Sequence, residues 1–195
     1  MNPSQQRCLA EICSELGRVV RYDDESIVNG RWIRQRYECC FASFTPARKA
    51  AVQAAWHEAG HAVAALAVGA RFSSASIHHS RDTEGRVHGI RGAGELAFAV
   101  DAAGQIAERL KDWTMLAGDD ELRAWLPTWR KDGGDARHFR RAIGPRFGSD
   151  EFGAWRYSED MLTPLRLKIR HVARALLVHP RYLPYNVVRA IAGGC

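Results

Sequence analysis

From Thr45-Pro46 to Gly69 the chain is one long run of helix formers, and its second half, Ala62-Val63-Ala64-Ala65-Leu66-Ala67-Val68, is apolar nearly all round. Threonine offers an N-cap hydroxyl, proline suits the first helical position, and glycine ends the run. The pattern predicts a helix over Ala47 to Val68. A helix with no polar face must be covered on every side, so this one belongs at the centre of whatever the chain builds. Burying titratable groups is costly unless they are paired, yet this helix carries His57, Glu58 and His61.

Those three stand in the order His57-Glu58-Ala59-Gly60-His61. Residues four apart share a helix face, so both imidazoles can reach one metal ion while Glu58 lies beside them as a general base. The spacing is that of a zinc hydrolase, in which the metal lowers the pKa of water and polarises a carbonyl. With eight histidines in the chain, roughly 0.02 accidental matches are expected. Two imidazoles are too few, because a catalytic zinc takes three protein ligands and keeps a fourth position open. The extended zinc-protease pattern asks for glycine and histidine where this chain has Ala64 and Ala67, so it does not apply. Glu84 in the turn Asp82-Thr83-Glu84-Gly85, Glu95 at a helix start and Glu108 late in that helix are candidates; each is also readable as a solvated carboxylate.

Beyond the first helix, Arg71 to Ser80 and Arg86 to Ile90 flank the turn-prone Asp82 to Gly85 and predict a hairpin. Strand alternation sends His78 and His79 to opposite faces, and these two and His88 are read as solvent-facing. Gly94 to Trp113 predicts a second helix, with Ala99, Ala102, Ala103, Gly104 and Ala107 small enough to let it approach the first closely. Glu108 then either accepts the second ring proton of a ligand histidine or stands at the surface. Further on, Thr163-Pro164 opens a helix ending near Val178 before His179-Pro180, and a shorter one follows Pro184. Trp113, Trp125, Trp129 and Trp155 read as core or interface anchors, and Gly118-Asp119-Asp120 as a loop and helix start.

Three segments, His57 to Ala62, Ala103-Gly104-Gln105-Ile106-Ala107-Glu108 and Gly133-Gly134-Asp135-Ala136-Arg137, resemble in order and spacing the successive landmarks of the FtsH-type zinc peptidase domain. The resemblance implies a mainly α, zincin-like domain over residues 45–195, with a small β-hairpin or sheet beside the motif helix. Residues 1–44 are left as an appendage of unknown role. It implies zinc held by His57, His61 and Asp135, with Glu58 as the catalytic base. Read from local sequence alone, Asp135 is an ordinary N-cap candidate after two glycines, and His138 a surface or packing residue. In the family a strand beside the motif helix holds an extended peptide by edge pairing.

The chain departs from the family in having only about 45 residues ahead of this region, with no phosphate loop and no membrane anchor. The expected activity is therefore a stand-alone metalloendopeptidase cutting flexible or unfolded polypeptides. A separate ATPase or regulator is the natural collaborator, and a homo-oligomer stays open. The longest apolar run falls well short of the ~20 residues of a membrane span, no signal-peptide pattern opens the chain, and a soluble cytoplasmic protein is expected.

Composition supplies the competing readings. The formal net charge is +6, with basic runs at Arg137-His138-Phe139-Arg140-Arg141 and from Arg166 to Arg174. Arg166, Arg170 and Arg174 recur opposite Leu167, Ile169, Val172, Leu176 and Leu177, as on a solvated amphipathic helix. That reading is preferred to a nucleic-acid interface. Five cysteines, Cys8, Cys13, Cys39, Cys40 and Cys195, lack zinc-knuckle spacing and read as reduced thiols. The alternative to an enzyme is a zinc-containing interaction or regulatory protein.

Overall fold

The computed structural model describes residues 46–77, 85–111, 118–129 and 134–193. The N-terminal appendage, all five cysteines, Trp113, and the turn bearing His78, His79 and Glu84 lie outside the described residues. The chain is mainly helical with a small three-stranded antiparallel sheet, as expected.

The central helix α1 (Pro46–Ala67) holds the middle of the molecule. Ala55, Ala59, Ala62, Ala64 and Ala65 are inaccessible, and Gly69 at φ 76° ends the helix in the left-handed region. Its main partner is α2 (Ala97–Lys111), preceded by a 3₁₀ turn over Gly94–Leu96. Small residues mesh at the crossing. A Cβ on Gly60 would lie 2.3 Å from the Ala103 carbonyl oxygen and 2.6 Å from the Ala107 Cβ, so only glycine admits this approach.

Two strands form the predicted hairpin. β1 (Ser74–Ser76) pairs with β2 (Arg86–His88) in the register Ser74 to His88, Ala75 to Val87 and Ser76 to Arg86. The sheet order is β2-β1-β3, the third strand being β3 (Leu183–Pro184) from far along the chain. Among the described residues β2 is thus an edge strand, lying against α1.

The remaining helices are α3 (Asp119–Trp129), α4 (Gly134–Ala142), the short α5 (Gly144–Phe147), α6 (Glu151–Leu162), α7 (Arg166–Val178) and α8 (Tyr185–Gly193). α4 and α6 pack on α2, whereas α7 packs on α1 and is joined by α8. An aromatic cluster ties this half together: Trp129 stacks on Trp125, and both meet the fully buried Trp155 edge-on. Phe139 contacts Trp129, Trp155 and Phe98. The buried Glu159 accepts a hydrogen bond from the Trp155 indole at 3.0 Å and is paired with the Arg156 guanidinium at 2.6 Å.

The sequence predicts a solvated arginine face on α7, and the fold departs from it. The arginines of α7 are half-buried, not a solvated face, and Arg166 donates to the carbonyl oxygens of Leu110 (2.7 Å) and Lys111 (3.4 Å). These are carbonyls at the C-terminal end of α2, which lack partners within their own helix, so the guanidinium serves as a cap. Leu167 and Leu177, assigned to the apolar face, are exposed. Packing α7 along α1 turns Ile169, Val172 and Leu176 inward and leaves those two outside.

Candidate metal centre

His57 and His61 sit one turn apart on α1, and their Nε2 atoms approach to 3.0 Å. From 78 residues along the chain, Asp135 in the first turn of α4 brings Oδ2 to 3.1 Å from the His57 Nε2 and 3.3 Å from the His61 Nε2. Among the described residues this is the group of three such side chains whose donor atoms converge. Glu95 lies exposed in its 3₁₀ turn and takes no part. His88 is exposed, with its Nε2 3.4 Å from the Ser76 Oγ.

Each imidazole is held by its other nitrogen. The His61 Nδ1 lies 2.7 Å from the Val100 carbonyl oxygen, which can only accept, so Nδ1 carries the proton. The His57 Nδ1 lies 2.6 Å from the Glu108 Oε1 and donates to it, while Gln53 fixes the other oxygen of Glu108 at 2.6 Å. In the neutral rings, both Nε2 lone pairs therefore point at each other and at a carboxylate oxygen. Three acceptors converging without a donor repel one another unless a cation or added protons lie among them.

The spacing suits zinc. Tetrahedral bonds of about 2.0–2.1 Å set neighbouring ligand atoms roughly 3.3 Å apart, and the three separations here are 3.0, 3.1 and 3.3 Å. Room is kept by Gly104 of α2: a Cβ there would lie 2.5 Å from the His57 Nε2 and 2.6 Å from that of His61. Asp135 reaches the site because α4 is anchored one turn on by the inaccessible Phe139, itself fixed in the aromatic cluster.

The electrostatics follow the same geometry. Burial lowers the pKa of His57, but hydrogen bonds to Asp135 and Glu108 and the Glu58 charge outweigh it and raise it from 6.5 to about 10. Burial opposes protonation of His61 as well, yet Asp135 raises it. Asp135 is pushed up by burial but held well below the carboxylate range by its two imidazole partners.

Glu58 is 6% exposed, its pKa raised chiefly by burial and partly offset by the histidine charges. The Val87 backbone N–H donates to its carboxylate, and Gly85 leaves room for it, since a Cβ there would lie 2.9 Å from Oε1. Glu58, the three converging residues, Gln53, Glu108 and the edge strand's Gly85, Arg86 and Val87 all line one cleft of about 670 Å³.

All four site residues read from the sequence meet in this cleft, and Glu108 takes its ring-orienting place. Asp101, Gln105 and His138 also line it, none of which the sequence marks as a site residue. Asp101, Gly104, Gln105 and Glu108 follow one helical stripe, which could have flagged Asp101 once Glu108 was under consideration. No protein-family model matches the chain, and no curated protein matches it.

Proposed function

We propose that the chain is a zinc-dependent metalloendopeptidase of the FtsH-like kind it resembles, hydrolysing peptide bonds in flexible or unfolded polypeptides. The observation that carries this reading is the convergence of two tautomer-fixed Nε2 atoms and one carboxylate oxygen, with a buried glutamate on the same helix face.

His57, His61 and Asp135 would hold zinc, which supplies Lewis acidity when bound: it makes water more acidic and polarises a carbonyl. Glu58 takes the proton from the attacking water and returns it to the leaving amine. Its raised pKa makes it a stronger base than an exposed glutamate. Glu108 and the Val100 carbonyl hold the rings in the tautomers that present Nε2. The edge strand β2 offers main-chain groups to an extended polypeptide, a mode of binding indifferent to side chains. The same reading puts the protein in the cytoplasm and leaves delivery of folded substrates to a separate ATPase. Among the described residues no helix is long and apolar enough to cross a membrane.

The test is digestion of an unstructured protein by wild type and by Glu58→Gln, with zinc measured on both. Wild type should cut; the variant should keep its zinc and lose at least about 100-fold in rate, as removal of a general base does. Full zinc without cleavage by wild type would favour the interaction or regulatory reading, and absence of zinc from both would sink the ligand assignment.

A further inference from the structure

Four carboxylates line the cleft, and three already have work. Asp135 faces the two imidazoles, Glu108 holds the His57 Nδ1 and the Gln53 amide, and Glu58 accepts the Val87 N–H. The fourth, Asp101, is half-buried on α2 and makes no hydrogen bond or ion pair with another described residue. The imidazoles beside it are those of His61, already turned to Val100 and the metal ligands, and of the exposed His138 on the cleft wall. Arg86 also lines the cleft, exposed on the edge strand.

Position gives this carboxylate a role. Asp101 stands one helical turn before Gly104, the residue lying directly against both Nε2 atoms, so the two Cα atoms are ~4.5 Å apart along the helix axis. A lysine or arginine side chain spans that offset easily. Resting on the peptidase reading, the geometry points to Asp101 as the specificity-determining residue of the cleft, receiving a lysine or arginine side chain of the polypeptide beside the bond that is cut. Burial raises its pKa to about 6 in the metal-free protein, with the His61 and His138 imidazoles only partly offsetting it, so a further counter-charge is favoured. An ammonium or guanidinium entering the cleft supplies one, in a place where water competes weakly.

The test separates this subsite from the chemistry. Glu58→Gln protein, incubated with zinc so that nothing is cut, is titrated with an unstructured peptide carrying one central lysine, and with the same peptide carrying acetyl-lysine. The lysine peptide should bind about tenfold more tightly, the difference a charge-assisted hydrogen bond provides. Adding Asp101→Asn, which keeps the side chain's shape, should erase that preference and leave the acetyl-lysine peptide's binding unchanged. Equal binding of the two peptides, binding of neither, or a preference that survives Asp101→Asn overturns the assignment. Cleavage mapping with wild type distinguishes the two readings. Cuts without lysine or arginine neighbours overturn the subsite and leave the peptidase standing. A lysine preference in binding with no cleavage by wild type overturns the peptidase and leaves Asp101 as a cation-binding group.

Discussion

At Gly104 a single hydrogen atom in place of a side chain keeps two imidazoles able to face a common point. Gly104→Ala would put a methyl 2.5–2.6 Å from the Nε2 atoms of His57 and His61, in the space their lone pairs share. The expected outcome is loss of bound zinc with the helical circular dichroism intact; a variant that retains stoichiometric zinc at wild-type affinity would contradict the site. Glu108 acts at one remove. Glu108→Gln removes the charged acceptor that fixes the His57 tautomer, and zinc affinity should fall about 10–100-fold in a chelator competition, with undiminished affinity counting against its role. The ligand histidines were legible because their spacing is local to one helix. Asp135 was legible only through a three-part resemblance, since its own neighbourhood reads as a helix cap. Gln53 acquires meaning only from the rotation of α1 against α2, which no local pattern encodes.

Between elements, the crossing of α1 and α2 decides whether those side chains meet at all. Gly60 belongs to the site helix itself and has the Ala103 carbonyl of α2 against it, so Gly60→Ala must force the helices apart or shift one along the other. Overpacking of this kind costs about 1–3 kcal/mol, read as a lower urea midpoint at unchanged slope. Unchanged stability would mean that the crossing is looser than its geometry. The long helices were readable because each has a start signal, a run of helix formers and a stop: Thr45-Pro46 to Gly69, and Thr163-Pro164 to His179-Pro180. β3 was not, since two residues, one of them proline, carry no alternation and gain strand character only by pairing with β1. α6 also escaped, because its sequence from Glu151 to Leu162 mixes glycine and aromatics whose burial comes from the Trp155 cluster. The arginines of α7 misled for a related reason: their spacing reports a face, but Arg166 reaches back to cap α2.

For the molecule as a whole, the proposed metal centre would couple folding to pH, and zinc would oppose the trend of the metal-free protein. In metal-free protein His57 is raised from 6.5 to about 10, so its contribution is complete below pH 6.5 and is lost as pH climbs toward 10. Buried Glu58, also raised, acts in the same sense, because the folded state binds the proton more tightly than the unfolded chain above pH 4.5. Asp135 is depressed, so its contribution is present above its ordinary value of 3.8 and fades only at lower pH. Chelator-stripped protein should therefore show a Tm that falls steadily from pH 6 to pH 8.5. Zinc competes with the same protons for the two imidazoles, so its affinity and the Tm increment it confers should grow over that interval. The stripped and zinc-loaded melting curves should diverge as pH rises, and Asp135→Asn should remove most of the divergence by weakening both the proton and the metal at once. A stripped protein whose Tm rises with pH, or a zinc increment independent of pH, would mean that these imidazoles do not exchange protons for metal. The convergence of three acceptors would then have to be satisfied in another way.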